Sequence, residues 1–279
     1  MKKAIIIFTK VPKVGDIKTR LTEEKGGILT PEEAKDFYEA FLLDVIDACI
    51  ASKSGEVWIC HNKMGDRSYL DSLLEDLTDP GAIKGIFADQ GGTFDQCMQY
   101  AADYILQEGN ADRRADALLI VGGDLPGLQP AYLQTAFDKL EKLARSPAGL
   151  QAAGITNPTG SSLGAAIVEG SCQEGGFSIV GYTHTTPFDF DGVFYNQNGI
   201  TALDALVHKA AGKQIPFGIV PQVPDVDIPV DLASVIPELN ALNLAARYDD
   251  TIRPARRTLK ILEEMGIEAS TAVDHRDNL

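Results

Sequence analysis

What this sequence has little of narrows its reading first. Its 279 residues include four cysteines, four histidines and one tryptophan. Cys49, Cys60, Cys97 and Cys172 form no C-x-x-C pair, which argues against a structural zinc site and against a disulfide framework. Cys49, Cys60 and Cys97 fall within apolar patterns and read as buried free thiols. The histidines share no spacing and no G-x-S-x-G elbow exists, so a hydrolase triad has no support. No segment approaches the ~20 apolar residues of a membrane span. The apolar run of the opening MKKAIIIFTK is too short for a secretory signal, and a cytoplasmic protein is expected. Positive charge is also scarce: 25 Lys and Arg stand against 40 Asp and Glu, a formal net charge of −15. That disfavours a nucleic-acid partner, which needs a broad basic surface. It leaves room for a small anion held in a local positive pocket.

What is present alternates. AIIIF (4–8), EVWIC (56–60), IKGIFA (83–88) and DALLIVGG (116–123) are short apolar runs that read as buried strands. Helical patterns separate them. Thr30-Pro31-Glu32-Glu33 supplies an N-cap, a first-turn proline and a capping-box glutamate, followed by apolar positions from Ala34 to Cys49. Residues 66–77 read as a second helix, and Thr93 with Gln96 opens a third through about residue 107. Pro130 opens a fourth. The alternation predicts a parallel sheet with helices on both faces. Residues 146–163, rich in Gly, Pro, Ser and Asn, read as loop. GAAIVEG and FSIVGY look like a hairpin at the sheet edge or a strand of mixed direction. A helix (200–212), a strand (217–221), an acidic loop opening a helix (224–232) and a C-terminal helix (251–266) follow.

In open parallel sheets, ligands bind beyond the carboxyl ends of the strands. Three segments there carry chemistry. TKVPKVGDIKTRL follows the first strand and holds Lys10, Lys13, Gly15, Lys18 and Arg20. It is neither a P-loop nor a dinucleotide fingerprint. Phosphate binding through Lys10, Lys18 and Arg20 is the favoured reading, with Gly15 letting the backbone approach and Lys13 merely solvated. In LLIVGGDLPGL, Asp124 follows Gly122 and Gly123 at a strand end; a metal-ligating carboxylate and a simple turn are equally good accounts. In PDVDIPVDL, Asp225 and Asp227 alternate as on a strand, so one of them would face a site, while Asp231 reads as an acid of the next helix's first turn. A solvated acidic turn is an equal alternative. Asp89-Gln90-Gly91-Gly92 precedes a helix N-terminus, where Gln90 could meet an anion or a nucleobase edge. Arg253, Arg256, Arg257 and Lys260 read most simply as a solvated helix face, with a homo-oligomer contact or a second anion site as the lesser option.

Taken in order, FTKVPKVGDIKTRL, AKDFYEAFLLDVI, LLIVGGDLPGLQPAYLQTAFDKL, EGGFSIVGY and DVDIPVDL make the chain resemble the glycosyltransferase-A-like proteins of the nucleotide-diphospho-sugar transferase superfamily, over residues 1–236. The resemblance implies a Rossmann-like α/β/α fold with a mixed, mostly parallel sheet, followed by a C-terminal helical extension at 237–279. It implies a nucleotide or nucleotide-sugar and a small-molecule acceptor as ligands, with Mg²⁺ or Mn²⁺ as cofactor. Lys18 and Asp124 would be catalytic. Lys10, Gly15, Lys18, Arg20, Gln90 and Gly123 would hold the nucleotide, and Asp124 with Asp227 the metal. Gly175, Gly176 and Phe177 would line the acceptor side. Sugar transfer and nucleotidylyl transfer both fit, as does an inactive nucleotide-binding regulator. The chain departs from the family pattern at 91–98, where Gly-Gly-Thr-Phe-Asp-Gln-Cys-Met replaces Gly-Asp-Leu-Gly-Glu-Arg-Met, and at Glu174, where the family has Asp.

Overall fold

The β-branched and aliphatic runs become the strands they predict. In the computed structural model, residues 1–107 and 113–270 are described. Strands β1 (Lys3–Thr9), β2 (Glu56–His61), β3 (Ile83–Ala88), β4 (Ala117–Gly122), β5 (Ile167–Ser171), β6 (Phe177–Thr183) and β7 (Phe217–Ile219) form one sheet in the order β3-β2-β1-β4-β6-β5-β7. β6 runs antiparallel to both β4 and β5; the remaining pairs are parallel. The fold is therefore a Rossmann-like α/β/α arrangement with a mixed, mostly parallel sheet; the hairpin read from GAAIVEG and FSIVGY is the β5–β6 pair, and it lies within the sheet between β4 and β7 and not at its edge.

Alternation along the central strands feeds two cores. Ile5, Ile7, Leu119 and Val121 point to one face, where α1 (Pro31–Ser52), α2 (Arg67–Leu74), α4 (Pro130–Ala144), α7 (Pro229–Ala245) and α8 (Arg256–Met265) bury Phe37, Leu70, Leu133, Leu232 and Leu262. Ala4, Ile6, Leu118 and Ile120 point to the other, under α3 (Phe94–Leu106) and α6 (Ala202–Gly212). Both faces of β1 and β4 are covered, so each buried isoleucine contributes roughly 2 kcal/mol of transfer free energy. Both predicted capping boxes form: Thr30 with Glu33 opens α1, and Thr93 with Gln96 opens α3.

Three expectations change. The predicted loop 146–163 contains a short helix, α5 (Pro147–Ala152); the Ser146 hydroxyl accepts from the Gly149 N–H, and Pro147 fills the first turn. The basic face at 253–260 is not simply solvated. Arg257 reaches Asp44, Asp47 and the Asp76 carbonyl, and Arg253 reaches Asp47 and Thr78, so α8 is docked on α1. Only Arg256 and Lys260 of that group are exposed. Finally, α7 runs unbroken through residues 236–237, where an extension was expected to begin. Residues 271–279 of that predicted extension lie outside the described residues. Among the described residues no helix is long and apolar enough to cross a membrane.

Candidate active site

The carboxyl ends of β1 and β4 open into a cleft of about 1010 Å³. Apolar residues within the first loop fix its shape: Ile17, Leu21 and Leu29 are buried, which turns the interleaved Lys18 and Arg20 toward the cleft. Lys18 adopts the left-handed conformation, φ 47°. Its Nζ donates to Asp124 Oδ2 at 2.6 Å and Asp227 Oδ1 at 2.7 Å, and stands 5.7 Å from the Tyr38 ring centre. Arg20 Nη2 donates to the other oxygen of Asp227. Two acids far apart in the sequence thus meet on one ammonium.

Each partner is positioned by its own element. Asp124 follows β4 through Gly122 and Gly123. A methyl group on Gly123 would lie within 3.0 Å of the Tyr38 hydroxyl, Leu42 Cδ1 and Thr9 Oγ1, so only glycine lets the turn close against α1 there. Tyr38 and Thr9 share a 2.6 Å hydrogen bond. Burial, and then the Asp124 charge, push the Tyr38 phenol up to about 12. Asp227 is held from behind: Asp231 Oδ2 accepts from the backbone N–H groups of Asp227 and Ile228, each at 2.8 Å, while opening α7. The first-turn role read for Asp231 is the one it plays.

Charge in the cleft is unevenly satisfied. Burial alone would lower the Lys18 pKa, but Asp124 and Asp227 raise it well above the ordinary lysine value. Burial would raise Asp227, yet Lys18 and Arg20 hold its carboxyl below the usual range. Asp225 goes the other way: burial, then the Asp124 and Asp227 charges, push it up to about 6. Only one of Asp225 and Asp227 was expected to face the site, and both line it. Residues two apart share a side of extended backbone, so alternation gives no ground for separating them; the segment 220–228 pairs in no strand. Gln173 holds it in place, its amide donating to the Asp225 carbonyl and accepting from the Asp225 N–H, both at 3.2 Å.

Of the predicted residues, Lys10, Lys18, Arg20, Gly123, Asp124, Gly175, Gly176, Phe177 and Asp227 line the cleft together. Gly15 and Gln90 do not. Gly15 is an exposed turn residue at φ 78°, serving the Lys13–Asp16 turn, and Gln90 is exposed. Lys13 is solvated, paired at 2.8 Å with Asp16. Sequence reasoning missed Cys172, Tyr38 and the aromatic residues Phe94, Phe194 and Tyr195, all in the lining. Among the described residues no group of three or more His, Cys, Asp or Glu side chains is arranged to hold a metal ion. The convergence of Asp124 and Asp227 on one cation nevertheless fits Mg²⁺ or Mn²⁺, hard ions that take one or two carboxylates plus ligand phosphates.

Residues 45–197 match the model of a family described as "Uncharacterized protein conserved in bacteria (DUF2064)". No curated protein matches the chain. Among solved structures, a protein of Desulfovibrio desulfuricans G20, provisionally named a nucleotide-diphospho-sugar transferase, is similar at 20% identity with a TM-score of 0.67, over 95% of this chain and 98% of that one. A cytidylyltransferase from Leptospira borgpetersenii serovar Hardjo-bovis is similar at 12% identity with a TM-score of 0.50, over 99% of this chain and 100% of that one. The shared property is the fold.

Proposed function

The chain belongs to the DUF2064 family, and from that premise we propose that it is a nucleotide-dependent transferase that moves a sugar from a nucleoside-diphosphate sugar to a small-molecule acceptor. The observation that carries this reading is the Lys18 ammonium, held between Asp124 and Asp227 at the carboxyl end of β4. It joins an anion-binding loop to an acidic pair at the place where this fold class binds ligands.

Lys10, Lys18 and Arg20 receive the diphosphate, Arg20 by its planar fork and the lysines as point charges. Asp124 and Asp227 would hold Mg²⁺ or Mn²⁺, which supplies charge neutralisation of the departing diphosphate. The bond from the sugar's anomeric carbon to the diphosphate oxygen breaks as the bond to the acceptor hydroxyl oxygen forms. The hydroxyl proton must leave, and Asp225 is the carboxylate available for it, since it makes no ion pair among the described residues. Gly175 and Gly176 give the acceptor room: a methyl at Gly175 would meet Thr201 at 2.5 Å, and one at Gly176 the Cys172 sulfur at 2.8 Å.

A second reading, nucleotidylyl transfer from a nucleoside triphosphate to a phosphorylated acceptor, has one observation in its favour. Three cations of one loop line the cleft, enough for a triphosphate. A thermal-shift panel of nucleoside triphosphates, diphosphates and diphospho-sugars, with and without Mg²⁺ or Mn²⁺, separates the two, because ligands stabilise in proportion to their affinity. The expected result is the largest shift with a diphospho-sugar and divalent ion, lost in Lys18→Met. A preference for triphosphate would select the second reading. No response to any nucleotide would remove both.

A further inference from the structure

The cleft lining changes chemistry along the chain. Its cations, Lys10, Lys18, Arg20 and Lys63, all come from the segments after β1 and β2; from Cys172 onward its charged members are Glu174, Asp225 and Asp227. The lining also carries an aromatic wall. Phe94, the first residue of α3, is 42% exposed, and its ring packs edge-on between Phe8 at 5.5 Å and Phe194 at 4.6 Å. Phe177 continues the wall 5.2 Å from Phe194. Tyr195 lies 6.5 Å from Phe94, is 95% exposed and adopts φ 48°. A bulky side chain held in that conformation and offered to solvent is uncommon without a functional reason.

The wall is held at the start of α3. Asp95 accepts from the Gly192 N–H at 2.9 Å and the Phe194 N–H at 2.8 Å, strapping the aromatic loop to the start of α3. Asn196 closes the same loop on Ile200 through both ends of its amide. The exposed rings are thus pre-positioned, which lowers the ordering cost of a ligand stacking on them.

We propose that Tyr195, Phe94 and Phe194 form the acceptor seat, and that the acceptor is an uncharged hydroxyl compound with a flat apolar face, such as an aryl glycoside. This rests on the transferase reading. Rings offer such a face a stacking surface, and the lining from Cys172 onward, whose charged members are all acids, offers a phosphorylated acceptor no cation. The cleft's size, at the upper end for small-molecule sites, accommodates a second substrate beside a nucleotide.

The test uses saturation-transfer NMR with phenyl β-D-glucoside, and calorimetry with inorganic pyrophosphate, on the full chain, Tyr195→Ala and Lys18→Met. Tyr195 touches little, so Tyr195→Ala is expected to keep the wild-type melting temperature. Phenyl glucoside is expected to bind the wild type and to bind Tyr195→Ala about five- to tenfold more weakly. Pyrophosphate affinity is expected to be unchanged in Tyr195→Ala and lost in Lys18→Met. Glucose 1-phosphate is expected to bind only where pyrophosphate displaces it. Undiminished phenyl glucoside binding in Tyr195→Ala, or none in the wild type, would overturn the proposal. So would loss of the nucleotide-induced thermal shift in Tyr195→Ala, which would give the wall to the base. A chain that binds phenyl glucoside at Tyr195 but responds to no nucleotide keeps this seat and loses the transferase reading.

Discussion

At the α1–α8 junction Arg257 reaches Asp44 and Asp47; in the cleft Lys18 reaches Asp124 and Asp227. Both clusters join residues more than a hundred positions apart, yet their surroundings differ. Asp44 also accepts from the Thr258 N–H and hydroxyl, each at 2.9 Å, and Asp47 from the Thr78 N–H and hydroxyl. Backbone and hydroxyl donors complete that cluster, and it staples α8 to the core. In the cleft, the cations alone satisfy Asp227's carboxylate, Asp225 has no ion-pair partner among the described residues, and the cluster opens on a cavity. A complete set of donors marks a fastening, and an incomplete set facing open space marks a place for a ligand.

The sharpest way to break that contrast is to remove one acid from the fastening. Asp44→Ala leaves Arg257 and Thr258 without it and is expected to cost about 3 kcal/mol in urea denaturation, with pyrophosphate affinity unchanged. A cost below about 1 kcal/mol would place the junction with ordinary surface pairs. Asp225→Asn probes the cleft and is expected to act in the opposite sense. With the Asp225 folded pKa raised to about 6 from an ordinary 3.8, its ionised form is disfavoured in the folded chain. The folded state therefore binds more protons between those values, and this group's contribution to stability falls as pH rises from about 4 through 6. Asp225→Asn should stabilise by about 1–2 kcal/mol at pH 7, after allowance for partial exposure, and the gain should fade by pH 4. A pH-independent effect would remove the charge argument. The smallest effect belongs to Lys13, whose pair with Asp16 is 73% and 60% exposed. Lys13→Ala should change stability by less than about 0.5 kcal/mol.

The contrast also separates what the sequence made legible from what it hid. Local signals carried well. Thr30 with Glu33 and Thr93 with Gln96 fixed helix starts, and buried runs fixed strands, because both depend on neighbours in the chain. Lys18, Arg20 and Asp124 were singled out because strand ends and charge coincide there, and Asp227 through the resemblance; the structure brings the four together. Arg257 was misread, because its acidic partners Asp44 and Asp47 lie more than 200 residues earlier and nothing near it announces them. The facing of Asp225 was misread because residues two apart share a side of extended backbone, so Asp225 and Asp227 belonged together. The aromatic wall was missed because Phe94 alone looks like a core residue of α3, and only Asp95 brings Phe194 and Tyr195 beside it.

The Lys18 bridge gives the cleft an internal competitor. On the proposed reading, an incoming anion would have to draw Lys18 and Arg20 away from carboxylates they already hold, so its apparent affinity would be reduced by the fraction of molecules in which those pairs are made. In exchange, the two cationic side chains are already gathered in one place, with Lys18 withdrawn from water. Weak anions that could not displace Asp227 would be turned away, and selectivity would be set as much by the acids as by the bases.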